Sequence, residues 1–226
     1  MPVFRKIAKV IRWFLCDVVD KAFEMGFTQF LDFASGLPTV DHIHTRIPER
    51  VKEQIKIIYS DIDPITVQLG REIIGMNPLV KFLECDCRKP ETLINSGIVK
   101  NFFDNNKKIA IGLSGIFYFL TDENIKHALQ VLYDWAPEGS ILYFCDYDSD
   151  KIKYNEGIQL TLKYYEEIKQ PFYLRTPDRL QELIKPWNIK EPGFQLLEKW
   201  LELSLGVTEE QEEETGIMSY GGILEK

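Results

Sequence analysis

Five short apolar runs, separated by helix-forming stretches, constrain this chain more than any other feature. The runs are Phe30-Leu31-Asp32-Phe33, Ile57-Ile58-Tyr59-Ser60, Lys81-Phe82-Leu83-Glu84-Cys85, Lys108–Leu113 and Ile141-Leu142-Tyr143-Phe144. Segments such as Ile65–Ile74 and Glu123–Trp135 carry helical spacing between them. Strands that are apolar on both faces and alternate with helices predict an α/β fold with a parallel sheet covered on both sides. Two more strand candidates, near Phe194–Leu197 and Met218–Leu224, have no long helix between them. They predict an antiparallel terminal hairpin, which makes a seven-stranded, mostly parallel sheet. A length of 226 residues suits one such domain. We divide it into an N-terminal helix over residues 1–26 and a single domain over 27–226.

Composition narrows the function classes. Hydrophobic residues are 45% and charged residues 27%, ordinary globular usage. A net charge of −8 runs against the basic surplus that neutralises nucleic-acid phosphates. No run of about 18 apolar residues is present to span a membrane. The expectation is a cytoplasmic protein, monomer or homodimer, with no nucleic-acid or membrane partner. Cys16, Cys85, Cys87 and Cys145 show no paired C-x-x-C spacing with His42, His44 or His127, so reduced buried thiols are expected and no metal site. On a strand, Cys85 and Cys87 point to opposite faces.

The two ends differ in sign. Residues 1–16 hold Arg5, Lys6, Lys9 and Arg12 with apolar residues at helical spacing. This reads as a helix packed on the domain, able to act as a lid; a targeting peptide or a membrane-surface helix is the alternative. The acid run Glu209–Glu214 reads as a solvated loop.

In an open α/β sheet, ligands bind beyond the carboxyl ends of the strands, so the residues after each strand carry the functional reading. After the first strand comes Asp32-Phe33-Ala34-Ser35-Gly36-Leu37-Pro38-Thr39, a small-residue turn with one glycine, short of the G-x-G-x-x-G of a dinucleotide cradle. After the second comes Asp61-Ile62-Asp63-Pro64. Asp61 suits a pair of ribose hydroxyls. Asp63 suits either the ligand or the cap of a helix whose first residue is Pro64. After the third comes Asp86-Cys87-Arg88, where an acid can accept from an adenine amino group. After the fourth comes Ser114-Gly115-Ile116-Phe117-Tyr118-Phe119. Its aromatics suit either a substrate pocket or the core, and Thr121 or Asp122 suits a helix cap. Asp146-Tyr147-Asp148-Ser149-Asp150 begins like a calcium loop, but Lys151 and Gly157 stand where that loop needs glycine and glutamate, so we read it as polar loop.

Together these motifs resemble a class I S-adenosylmethionine-dependent methyltransferase. More narrowly, Phe30–Thr39, Tyr59–Pro64, Asp86–Pro90 and the terminal Tyr220–Lys226 are similar to a largely uncharacterised bacterial family. That family has an F-L-D-x-G-T-G-L-P-T loop, then Y-V-D-N-D-P, D-x-R-x-P and Y-x-G-V-x-x-K. The resemblance implies a Rossmann-like fold and S-adenosylmethionine as cofactor. It places the loop Asp32–Gly36, with Ala34 and Ser35, under the methionyl part and Asp61 at the ribose, and it counts Pro38, Thr39 and Ile62 among the cofactor-binding residues. Asp86 and Cys87 would meet the adenine edge, and Ser114, Gly115 and Ile116 the sulfonium end. Arg12 matches a family arginine able to pair with the cofactor carboxylate, with a solvated arginine as the alternative. Ala34 stands where the family has glycine, so it is expected at negative φ. Relatives often carry a longer segment before the first helix, so part of the substrate cover is expected to be missing or to come from another subunit.

Methyl transfer is an in-line displacement for which a base is needed only if the acceptor must lose a proton. Tyr118 and Asp146 are the leading catalytic candidates, ahead of His127 and Tyr147. No N-P-P-Y motif of nucleobase methylation follows the fourth strand, which favours a small-molecule acceptor, aromatic or acyl, of the kind met in secondary metabolism. Two alternatives stay open: a catalytically silent cofactor-binding or interaction protein, and an NAD-dependent Rossmann enzyme.

Overall fold

The computed structural model describes residues 2–147, 156–202 and 219–226. The acid run Glu209–Glu214 and the Asp148–Asp150 part of the calcium-like segment lie outside them.

The five apolar runs form β1 (Gln29–Phe33), β2 (Lys56–Asp61), β3 (Val80–Glu84), β4 (Ala110–Gly112) and β5 (Ile141–Tyr147). They pair in parallel in the order β3-β2-β1-β4-β5. The terminal unit has three strands where two were expected: β6 (Asn188–Ile189) and β7 (Gln195–Leu196) both pair antiparallel with β8 (Ser219–Glu225), and β8 pairs antiparallel with β5. The described residues thus hold eight strands, one short strand more than the seven expected, in the mostly parallel sheet with an antiparallel end that was expected. Two-residue strands such as β6 are too short to leave a period in the sequence.

Each face of the sheet has its own helical layer. On one face α1 (Pro2–Glu24) buries Val10, Phe14, Val18 and Ala22 against Phe30, Ile57, Ala110 and Tyr143. This four-residue spacing keeps one stripe on the sheet. α1 continues past the basic stretch because Asp17 and Asp20 stand on its flank. Asp17 pairs with Lys21 and accepts from Trp200 Nε1 at 2.7 Å, and Asp20 takes the Arg46 guanidinium. Gly221 of β8 lets the helix come this close: a Cβ there would lie 2.7 Å from the Phe14 ring and 2.9 Å from Leu197.

On the other face α5 (Asp122–Trp135) and α7 (Pro177–Leu183) cover Leu31, Ile111, Leu142 and Phe144. Three more helices, α2 (Pro64–Ile74), α3 (Glu91–Ile94) and α4 (Gly97–Phe102), join the early strands. α6 (Glu156–Glu167) and the short α8 (Leu197–Trp200) follow β5 and β7. Thr121 caps α5, and Asp63 caps α2 by accepting from Ile65 and Thr66 amides, which settles both capping questions.

β1 lies between β2 and β4. The chain therefore leaves β1 to one side and returns to its other side, and the loops after β1 and β4 diverge at that switch point, where open α/β sheets place their crevice.

Candidate active site

A cleft of about 320 Å³ opens at the carboxyl ends of the parallel strands, within the roughly 300–1,000 Å³ of small-ligand sites. Ala34 follows β1, Ile62 follows β2, Cys85 through Arg88 follow β3, and Ile116, Phe119 and Leu120 follow β4. Gln170, beyond α6, closes the far side. The cleft therefore gathers Ala34, Ile62, Asp86, Cys87 and Ile116 of the expected cofactor residues.

The loops around it are tied by backbone bonds. Ser35 N donates to Ser60 O at 3.0 Å, and Gly36 N donates to Asp61 Oδ2 at 3.1 Å. Asp61 Oδ1 accepts from Asp63 N at 3.0 Å. Each carboxylate oxygen keeps a further lone pair for a ligand hydroxyl. Pro38 is buried and Thr39 exposed, with Thr39 N turned onto Leu37 O at 2.9 Å.

Ala34 corrects the sequence expectation: its φ is +51°, the left-handed region, where negative φ was expected. Ala34 is among the residues that line the cleft. Alanine carries the cost of the left-handed well, roughly 1 kcal/mol.

Asp32 lies beneath this loop. Its carboxyl receives a hydrogen bond from the Tyr143 phenol, and burial pushes its pKa up to about 7 against the opposing pull of the Arg12 guanidinium. Gly112 makes room for the pair: a Cβ would sit 2.0 Å from Asp32 Oδ1 and 2.7 Å from the Tyr143 hydroxyl. Arg12 itself donates from Nη1 to His42 Nδ1 at 2.9 Å. It is thus half-buried and partnered on one side.

After β3, Asp86 is already engaged. It accepts from Arg88 N and Nε at 2.9 Å and from the guanidinium terminus at 2.8 Å. Burial works to raise its pKa, but these bonds prevail and hold the carboxyl below the usual range. Cys85 and Cys87 also differ from expectation. β3 ends at Glu84, so strict strand alternation does not reach them, and both pack into the same core layer. Burial raises the two thiols to about 11 and about 12, so both are protonated at neutral pH.

After β4, Gly115 turns at φ +67° and donates to Cys145 O at 3.2 Å. The buried Ser114 hydroxyl lies against the Cys145 thiol, whose pKa it pulls down against the rise that burial causes. Beside the cleft, Tyr118 stacks on Phe172 (5.1 Å, 11°) and on Tyr147 (4.8 Å). Phe119 packs on Phe172 and Tyr165. These aromatics are half-buried, unlike Phe117, which is core. Burial raises the Tyr118 phenol far above its ordinary value, and it donates to the Tyr147 hydroxyl.

Asp146 was expected just past the end of a shorter fifth strand. It instead lies inside β5, which runs on to Tyr147, and is 2% exposed. Its Oδ1 accepts from Tyr147 N at 2.8 Å, while Oδ2 has no partner among the described residues. Burial pushes its pKa up to about 7. His127 is exposed on α5 beside Glu91, away from these groups.

Sequence reasoning missed His42, Tyr143, Gln170 and Arg175. Arg175 is 5% exposed. It binds Asp122 Oδ1 at 2.7 Å and the carbonyls of Phe117, Tyr173 and Leu120, which pins the segment after α6 onto the aromatic turn after β4. Nothing in its local sequence marks it, because all its partners but Tyr173 lie more than fifty residues away. His42 was weighed only as a metal ligand. Among the described residues no group of three or more potential ligands that could hold a metal ion is found, and no helix is long and apolar enough to cross a membrane.

A family profile described as S-adenosyl methyltransferase matches residues 1–226. A crystal structure from Thermobifida fusca, described as that of a candidate methyltransferase, superposes with a TM-score of 0.83 at 25% identity, covering 100% of this chain and 84% of that one. A DUF574 family protein from Streptomyces avermitilis gives 0.81 at 23% identity, over 96% and 83%. The plantazolicin methyltransferase BamL, solved with a desmethyl analogue and SAH, shares the fold with a TM-score of 0.61 at 12% identity, over 98% and 87%. No curated protein matches the chain.

S-adenosylmethionine is the cofactor of the matched family, and the cleft fits it. Its walls come from the loops after four successive parallel strands. Asp61, which directly precedes the lining residue Ile62, has carboxylate lone pairs to spare.

Proposed function

The chain belongs to the S-adenosyl methyltransferase family, and from that premise we propose that it methylates a small aromatic acceptor. The observation that carries this reading is the aromatic set Tyr118, Phe119, Tyr147 and Phe172 beside a buried carboxyl, Asp146, whose Oδ2 has no partner among the described residues. The cofactor, when bound, supplies a methyl group already activated on sulfur. Asp61 takes the ribose hydroxyls, with Ile62 beside them. Asp86, held by Arg88, and Cys87 face the adenine. Asp32, Ala34, Ser35, Gly36, Pro38 and Thr39 underlie the methionyl part, and Arg12 pairs with its carboxylate. Ser114, Gly115 and Ile116 pack near the sulfur.

The protein's own contribution is alignment and exclusion of water. Aromatic walls present apolar faces on which a planar acceptor stacks. Asp146, titrating near 7, is matched to remove a proton from an acceptor hydroxyl or amine at neutral pH. Tyr118 stays a phenol and contacts the acceptor rather than taking its proton. α1, with Arg12 over the loop after β1, covers the amino-acid end of the cofactor. We place the enzyme in the cytoplasm as a monomer or homodimer.

The test is transfer of labelled methyl from S-adenosylmethionine to a panel of phenols, aromatic amines and aromatic acids. Turnover of at least one aromatic class, lost in Asp146→Asn, supports the proposal. Tight cofactor binding with no transfer to any member would point instead to the catalytically silent reading.

A further inference from the structure

His42 sits at the join between α1 and the loop after β1, and no motif absorbed it. It is 5% exposed. Its Nδ1 lies 2.9 Å from Arg12 Nη1, and its Nε2 lies 2.6 Å from the Leu37 carbonyl oxygen. A guanidinium only donates and a carbonyl only accepts. The ring therefore has one consistent state: neutral, with Nδ1 accepting from Arg12 and Nε2–H donating to Leu37. Burial, with Arg12 beside it, holds its pKa down to about 4, so this state persists at neutral pH.

The surrounding chain is built to hold the ring in place. Asp41, immediately before it, has φ +62°, a conformation costly for a side-chain-bearing residue. Thr45 Oγ1 donates to His42 O at 2.8 Å. Arg46 binds Asp20 of α1, and Arg50 donates to Phe23 O at 3.1 Å. With Cys16 Sγ donating to Asp41 O at 3.7 Å, the segment after the cofactor loop is thus clamped to α1 at four points. The rest of the Arg12 guanidinium has no hydrogen-bond partner among the described residues.

We propose that His42 is a positioning residue for the cofactor's amino-acid end: it orients Arg12 toward the methionyl carboxylate and fixes the loop at Leu37 with the same ring. This rests on the methyltransferase reading above and extends it from Arg12 to the group behind it. A guanidinium held at one nitrogen loses less freedom when it binds a carboxylate with the others. His42 touches neither the cofactor nor the acceptor.

Calorimetry on the full chain tests this with two ligands. S-adenosylhomocysteine carries the amino-acid end; 5′-methylthioadenosine has the same nucleoside and sulfur without it. His42→Gln keeps an N–H for Leu37 but loses the acceptor for Arg12, and it should weaken S-adenosylhomocysteine by about tenfold while leaving methylthioadenosine unchanged. His42→Asn keeps an acceptor near Nδ1 and should recover most of the loss. Arg12→Gln, a change on the helix flank, should show the same selective weakening, and the double variant should be no weaker than Arg12→Gln alone. Equal weakening of both ligands, or no weakening of either, overturns the proposal. Failure of the unaltered protein to bind S-adenosylhomocysteine overturns the functional reading beneath it.

Discussion

Asp61 and Gly36 are joined by a hydrogen bond of 3.1 Å from the Gly36 amide to the Asp61 carboxylate, so one acid at the end of β2 also sets the loop after β1. Asp61→Ala removes the acceptor for Gly36 and, in our account, for the ribose. We expect S-adenosylhomocysteine affinity to fall by about a hundredfold, the worth of two charge-assisted hydrogen bonds, with thermal stability nearly intact because the carboxylate is only half-buried. Calorimetry and a melting curve on the same sample check both parts.

Ala34 at φ +51° makes a second prediction. Ala34→Gly relieves the left-handed strain but frees the unfolded chain, and the net is a gain of no more than about 1 kcal/mol. Ala34→Val puts a β-branched residue in the same well and should cost about 2 kcal/mol or more. Urea unfolding midpoints would order the three proteins Gly, Ala, Val from most to least stable.

Gly112 admits the Asp32–Tyr143 contact. Its Cβ in Gly112→Ala would lie 2.0 Å from Asp32 Oδ1, in the middle of the sheet, where little can shift. A loss of about 2–4 kcal/mol is expected. Since β4 borders the crevice, cofactor affinity should fall along with stability. A structure of the variant would show Asp32 displaced.

Asp146 predicts a pH dependence. Its folded pKa, about 7, lies above its unfolded value, so between about pH 4 and 7 the folded protein holds a proton that the unfolded chain has released. Stability from this group is full below the unfolded pKa and is lost as pH rises to the folded one, with a slope of at most about 1.4 kcal/mol per unit. Asp146→Asn should flatten the fall in Tm across that window. Methyl transfer should run the opposite way, rising through pH 7 as the base is freed, and that limb should vanish in the variant.

Arg175 is the fourth stability test. Removing its side chain leaves Asp122 with one arginine partner fewer and three carbonyls without their donor. Arg175→Ala should cost about 3–5 kcal/mol. Arg175→Lys should not rescue it, because one ammonium cannot span four acceptors in a plane. Proteolysis after α6 would register the loosened segment.

The parallel sheet and its strand-end acids were legible because each strand is apolar on both faces and each turn carries its own short-range signature. Position alone marked Asp63 and Thr121 as possible caps, and the structure chose that role over ligand binding for Asp63 and chose Thr121 over Asp122. What stayed hidden depends on contacts distant in sequence. Arg175 meets residues more than fifty positions earlier, Gly112 matters only through Asp32 and Tyr143, and His42 gains its meaning from Arg12, thirty residues before it. Ala34 was misjudged for a related reason: its intrinsic preference for negative φ is overridden by the bonds that hold the loop, Ser35 to Ser60 and Gly36 to Asp61. Asp146 was assigned to the rim because the fifth strand was read as ending at Phe144, and three further residues of ladder place it inside.

The central claim is that the cleft at the strand ends holds S-adenosylmethionine. Isothermal titration of the purified chain with S-adenosylmethionine is the direct measurement. The account predicts one-to-one binding in the micromolar range, lost or weakened about a hundredfold in Asp61→Ala. No heat of binding at millimolar cofactor, or binding unchanged by Asp61→Ala, would contradict it.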